Sequence, residues 1–340
     1  MARSSPWGAG VSRRVAIYIA LGLLTCLTLW GSLYVGPGDV SDPRLGPQFL
    51  ALRGLRIAAA FLAGAGLAVG GVLVQGLFRN PLASPSIIGT TAGATLGGQI
   101  ALLLWQSLSG LSLMQYVAPE MILPLGCICG ALVALGLLFS LYRDQGDTVM
   151  LLLMGFLLSA LFLALSGLVT SIAQERWELA RAMIAYALGD VSGAGPRHVA
   201  LGLPLVASGV LAAYFWGRPL DLMLSGEEEA ASLGVDVATV RRYCILWTAT
   251  LTAAAVSLGG NVGFVGLVVP HALRPLLGVS HRRLVPACAL LGGTFLVACD
   301  ALTRGLGTKS EIPLGVVTGL LGAPIFLSLL LRSRNELSHG

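Results

Sequence analysis

The chain has 340 residues, of which only 11% are charged and 56% hydrophobic, whereas an ordinary globular protein carries about 25% charged residues; its mean hydropathy is +0.84. Its 45 glycines are scattered and not repeated at every third position, so collagen, disorder and soluble enzyme classes are excluded and a polytopic membrane protein remains. The net charge of +5 comes from short basic clusters between apolar blocks, a pattern of cytoplasmic loops and not of a nucleic-acid-binding stripe.

In chain order, the first apolar block (about 15–35) follows Arg13 and Arg14. At 1.5 Å per residue it crosses the ~30 Å hydrocarbon layer. It is longer than a signal-peptide core and lacks a small-residue cleavage site, so it reads as a retained helix. Further spans are expected at about 55–77, 85–105, 120–141, 148–172, 198–216, 242–260, 263–277, 283–300 and 312–331, giving ten helices, the eighth short after a break at Gly259-Gly260-Asn261. With the N-terminus inside, 13 basic residues fall in cytoplasmic segments (among them Arg3, Arg143, Arg332 and Arg334) and 8 outside, including Lys309. The excess inside orients the chain. Residues 1–340 then form one transmembrane domain, with 1–14 and 333–340 as cytoplasmic tails and 217–241 as a cytoplasmic loop.

Two loops stand out. Residues 174–198 surround an apolar run from Met183 to Leu188 with charges, as a short external helix would. Residues 217–242 interleave acids with Leu222, Leu224, Ala230, Ala231, Leu233 and Val235, which at helical spacing gives an apolar and an acidic side. Glycines four apart (Gly66/Gly70, Gly89/Gly93/Gly97, Gly126/Gly130, Gly315/Gly319) are expected to share helix faces and to let helices approach closely. The six cysteines lie in or beside apolar runs and read as buried free thiols; Cys127 and Cys129 lack the second pair that zinc needs.

No P-loop occurs: the string Gly307-Thr308-Lys309-Ser310 lacks the required glycines, and neither a zinc-protease nor a nucleophile-elbow motif is found. Carboxylates at span centres, which proton- or sodium-driven transporters use, are also missing; Asp300 lies at a span end. The energy source is therefore expected on a partner protein. A secondary transporter or channel is the competing class, and it would need coupling groups of its own.

Specific strings narrow this further. RNPLASPSIIGTTAGA (79–94), GFVGLVVPHALR (263–274), Ser280-His281-Arg282 with Pro286, EIPLGVVTGLLGAPIFLSLLLR (311–332) and GEEEAASLGVD (226–236) stand in order along the chain. Together they resemble the iron-chelate and vitamin B12 importer permeases, the FecCD family, from about residue 15 to 332. The resemblance implies an all-α fold of about ten transmembrane helices in the bacterial cytoplasmic membrane. It also implies a second permease copy (identical or paralogous), two cytoplasmic ATPases that hold ATP and Mg, and an external substrate-binding protein, with no cofactor or metal on this chain. The implied cargo is a ferric siderophore, with haem, cobalamin or a metal oxyanion as alternatives. Carried over by position, Glu227, Glu228, Glu229, Ala231, Leu233 and Gly234 fall on the ATPase-coupling segment. Arg53 and Arg56, opening the second span, and Arg304 fall where similar permeases dock glutamates of the binding protein. Asn80, Pro81, Gly89, Gly93, Pro270 and His271 take structural or gating roles, Asn80 and Pro81 as a turn ending a helix. One departure is Tyr186-Ala187-Leu188-Gly189-Asp190, which places a carboxylate where the family usually has serine.

Overall fold

A computed structural model describes residues 6–108, 119–141, 148–306 and 312–337. The expectations attached to Arg3, Arg143, the Gly307–Ser310 string and the side chains of Arg332 and Arg334 lie outside these residues, as do parts of both tails. Among the described residues there are twelve α-helices and no strand: α1 (Pro6–Ser32), α2 (Gly46–Leu77), α3 (Thr90–Leu108), α4 (Pro119–Leu141), α5 (Thr148–Ile172), α6 (Trp177–Ala187), α7 (Pro196–Met223), α8 (Glu227–Ser232), α9 (Val237–Gly259), α10 (Val265–Leu277), α11 (His281–Gly305) and α12 (Leu314–Leu337). Ten of them overlie the expected spans, and the two extra, α6 and α8, fall on the two conspicuous loops.

Six helices (α1, α2, α4, α5, α7 and α11) are long and apolar enough to cross a membrane. Helix α10 has 13 residues and extends about 20 Å, so it does not cross the ~30 Å layer alone.

Several boundaries differ from expectation for identifiable reasons. Helix α2 begins at Gly46, with Pro47 in its first turn, a position where proline's missing N–H costs nothing. Arg53 and Arg56 therefore lie two turns inside the helix and do not open it. Helix α3 starts at Thr90 because Pro85–Ile88 forms a 3-10 turn that Gly89 closes with φ +85°. Helix α1 reaches back to Pro6, so Arg13 and Arg14 stand on its exposed surface and not in a tail.

Helix α2 is the axis of the bundle. Nearly every residue from Ile57 to Phe78 is buried or half-buried, under α7, α9, α10 and α11, while α3 packs on α4 and α5. Glycine seams set how closely these helices lie. A Cβ added at Gly64 would collide with the Gly292 carbonyl, one at Gly71 with that of Gly266, and one at Gly130 with that of Gly93. The expected faces of α3 and α4 thus meet each other, Gly93 and Gly97 against Gly126 and Gly130. Gly89 is not part of that face: it lies outside α3 and packs on α5 beside Gly155 and Leu158. Gly319 makes no close approach, its nearest neighbour being Phe264 at 4.0 Å.

All six cysteines are free, but only Cys127, Cys244, Cys288 and Cys299 are buried. Cys26 and Cys129 are exposed, like the leucines around them on α1 and α4, because the surroundings of a spanning helix are themselves apolar.

Gly130→Ala is expected to destabilise the bundle by about 1–3 kcal/mol, the range of overpacking, seen as a lower unfolding temperature of the purified chain in detergent. Gly136→Ala, where an added Cβ meets nothing within 4 Å, should leave that temperature unchanged or raise it, since alanine favours helix by ~1 kcal/mol over glycine.

Candidate functional site

Three regions carry the polar chemistry. At one end of the bundle, α7, α8 and α9 build a knob. Helix α8 is short, and Gly234 ends it with φ +86°, a backbone conformation that glycine adopts without strain. Ala230 is buried beneath it, whereas Glu228, Glu229, Ala231, Leu233 and Gly234 are exposed, Leu233 by 64%. Glu227 differs from its neighbours: its carboxylate accepts from Arg241 Nη2 at 2.8 and 3.0 Å, tying α8 to α9. Asp236 caps α9, and hydrogen bonds from the Thr239 hydroxyl and amide hold its carboxyl below the usual carboxylate range.

Beside the knob lies a cluster the sequence did not reveal. The Asp221 carboxylate, near the end of α7, accepts from the His281 amide (2.8 Å) and the Ser280 hydroxyl (2.9 Å), and it meets His281 Nδ1 at 2.6 Å. The signal in the sequence was the Ser-His-Arg string, but its acidic partner stands 59 residues upstream of Ser280, beyond the reach of any local pattern.

At the far end, the three arginines expected to dock a partner come together, but two point inward. Arg53, 6% exposed, donates to the carbonyls of Leu33, Gly36, Pro37 and Gly38 at 2.8–3.1 Å. Arg304 donates to Ser32 O (3.0 Å) and Val35 O (2.5 Å). Ser32 is the last residue of α1 and the other carbonyls lie in the connection that follows it, so the two guanidinia fasten the α1–α2 loop. Asp300, fully buried, receives Arg56 Nε at 2.8 Å and Arg304 Nε at 3.0 Å. Only Arg56 also faces open space, a cavity of about 770 Å³ that it lines with Trp177, Glu178, Arg181, Asp190 and Thr303.

Asp190 is held locally, accepting the Ser192 amide and hydroxyl at 2.7 Å each. Its neighbourhood is a main-chain junction of three segments: Asp190 N donates to Gly259 O (2.9 Å), Asn261 N to Tyr186 O (3.1 Å), Leu314 N to Gly189 O (2.8 Å) and Gly315 N to Leu188 O (2.9 Å). The Tyr186 hydroxyl lies 2.7 Å from Cys127 Sγ, anchoring α6 to α4.

At the end of α2 that His281 packs against, Asn80 and Pro81 follow the helix without capping it; Phe78 takes that position. The Asn80 side chain accepts the Leu82 amide at 2.9 Å and shapes the turn beyond the helix. Pro270 lies inside α10 and has no N–H for the Gly266 carbonyl four residues back. Gln75 of α2 supplies the missing donor at 3.1 Å, and its amide oxygen accepts from Arg274 at 2.5 Å. The signal that singles out Gln75 is a lone amide in an apolar span. His271 meets the edge of Phe326, with ring centroids 5.8 Å apart. Among the described residues no group of three or more His, Cys, Asp or Glu is placed to hold a metal. A second cavity, of about 390 Å³, is lined by Ser86, Thr91, Ser159, Asn261, Phe156 and Leu163 among others, and its surface is mainly apolar.

Residues 18–332 match the model of the FecCD transport family. The chain is 38% identical over 279 residues to the cobalamin import system permease protein BtuC of Halobacterium salinarum, covering 81% of this chain and 71% of that one. It is 35% identical over 331 residues to the Fe(3+) dicitrate transport system permease protein FecD of Escherichia coli, covering 94% and 99%. A solved structure described as an inward-facing conformation of a metal-chelate type ABC transporter superposes with a TM-score of 0.81 at 31% identity, covering 94% of this chain and 99% of its own.

Asp300→Ala is expected to cost about 3–5 kcal/mol, because it strands two largely buried guanidinia without their shared counter-charge. Thermal unfolding in detergent, compared with the wild-type chain, measures it.

Proposed function

The chain belongs to the FecCD transport family and is the membrane permease subunit of an ABC importer; on that premise we propose that it carries a ferric chelate, a siderophore, across the bacterial cytoplasmic membrane. The observation that carries the mechanism is the exposed knob of Glu228, Glu229, Ala231, Leu233 and Gly234. It presents apolar surface and negative charge without enclosing any site of its own, and so suits docking to a separate protein. In this reading two permease copies stand side by side, two ATPases bind the knobs from the cytoplasm and hold ATP and Mg, and both termini lie on that side. Closure of the ATPases rocks the pair, and cargo passes from an external binding protein along the central path.

The far end then faces outward. Arg53 and Arg304 serve docking indirectly, by fixing the shape of the α1–α2 loop, and Arg56, at the rim of the larger cavity, is the side chain offered to the binding protein. The cargo assignment rests on the similarity to the ferric dicitrate permease over nearly the whole of both chains and on the metal-chelate type of the superposing structure. Haem, cobalamin or a metal oxyanion are the alternatives. A secondary transporter is less well supported, because Asp300 already neutralises two arginines and is thus not available to bind and release a coupling ion.

Proteoliposomes containing the chain, its ATPase and the binding protein should take up labelled ferric siderophore only when both partners and ATP are present. Uptake by the chain alone on an ion gradient would reject the proposal. Glu228→Lys/Glu229→Lys should weaken ATPase association roughly tenfold, the scale of a few rim charge pairs. Arg56→Gln, which keeps a donor for Asp300, should weaken binding-protein affinity, most at low salt, and leave ATPase association unchanged.

A further inference from the structure

We infer that Asp221 is a positioning residue for transport: it carries displacement of α8 into α11 and α2. The inference rests on the reading of α8 as the ATPase contact. Only Leu224, Ser225 and Gly226 separate the end of α7 from α8, so a push on α8 arrives first at the last turn of α7, where Asp221 stands.

What Asp221 grips there is the start of α11. Ser280 occupies the N-cap position of that helix, yet its side chain makes no capping bond; its hydroxyl donates to Asp221 instead. The capping carboxylate of α11 is therefore supplied by another helix. It is well placed, since an anion at a helix N-terminus meets unpaired amides and the positive end of the helix dipole. The backbones also converge, for a Cβ added at Gly217, one turn earlier on α7, would lie 3.1 Å from the Arg282 amide and 3.2 Å from His281 Cβ.

His281 extends the connection. Its ring is buried, 3% exposed, and rests on the last turn of α2, where a Cβ at Gly76 would collide with Nε2. One carboxylate thus joins the helix leading into α8 to the beginning of α11 and, through the imidazole, to the end of the central helix. Helix α8 also leads into α9, directly through residues 233–236 and by the Glu227–Arg241 pair. That path reaches α9 alone, whereas the Asp221 carboxylate holds three groups at the start of α11, the Ser280 hydroxyl and the amide and ring of His281.

A purely structural cap predicts something different from a joint, and two variants separate them. Asp221→Ala removes both functions. Asp221→Ala/Ser280→Asp returns a carboxylate to the start of α11, restoring its cap and a partner for His281, but leaves α7 untied.

The assay uses the full importer in proteoliposomes. Spin labels at Arg44→Cys report the distance between the two permease copies at the far face, with the exposed Cys26 and Cys129 replaced by serine. Asp221→Ala should keep ATPase association and ATP hydrolysis while the nucleotide-driven change in distance shrinks roughly fivefold or more. The double variant should regain thermal stability but not the distance change.

Recovery of the distance change in the double variant, or its persistence in Asp221→Ala, would overturn the joint. Should Asp221→Ala not fold, Asp221→Asn keeps the shape, loses the charge and is judged by the same two readings. If Glu228→Lys/Glu229→Lys leaves ATPase association intact, the reading of α8 fails and takes the joint with it. If that pair weakens association while both Asp221 variants move normally, only the joint is rejected.

Discussion

In a bilayer the surroundings of a helix are as apolar as its own leucines, so what holds a bundle together is how near its backbones come. Here that distance is set by carbonyl oxygens seated on glycines: Gly64 against Gly292, Gly71 against Gly266, and Gly93 and Gly97 against Gly126 and Gly130. With side chains missing at these points, α2 sinks into contact with α10 and α11, and α3 with α4. The central position of α2 follows, and with it the burial of Arg53 and Gln75, which this helix carries inside. A glycine-rich, charge-poor composition is the cost of that architecture, which has little room for side chains where helices cross.

Close packing without water imposes a second condition, because a polar group carried inside is costly unless it finds a partner within the protein. Buried atoms such as Thr90 Oγ1 and Thr248 Oγ1 have none, but the larger polar side chains find theirs by crossing between helices. Gln75 of α2 satisfies a carbonyl left without its helical donor by Pro270 of α10. Asp300 serves arginines of α2 and α11, and Asp221 of α7 caps α11. Apart from Asp300–Arg304 within α11, these pairings bind elements far apart in sequence, so a small number of polar residues specify which helices are neighbours while glycines specify how near.

Much of this was legible beforehand, and the rest was hidden for a definite reason. Composition and hydrophobic blocks located the long helices, and the two irregular loops were recognisable as α6 and α8 from their mixed apolar and charged pattern. Glycine spacing foretold the α3–α4 seam. The exposure of Glu228, Glu229 and Leu233 agrees with the motif. The orientation of Arg53 and Arg304 was not legible, since an arginine at a span end reads alike whether it turns to solvent or to a carbonyl. The α1–α2 loop that receives them is distant in sequence from Arg304. Asp221 escaped for the same reason: it looked like one more acid in a polar loop, and its partners lie on another helix.

The junction among Tyr186–Asp190, Gly259–Asn261 and Leu314–Gly315 is made of peptide groups alone. Residues of these segments line separate spaces, Asp190 and Leu314 the larger cavity and Asn261 the smaller one. Shape and chemistry are therefore held by different atoms. The frame needs glycine at 189, 260 and 315, where an added Cβ would meet the junction's own backbone. Its main-chain bonds do not involve the Asp190 side chain, so the lining can be rewritten there, as a serine exchanged for the carboxylate would rewrite it, without loosening the frame. The chemistry of a cavity wall can in this way change by point substitution, with no new fold required for each.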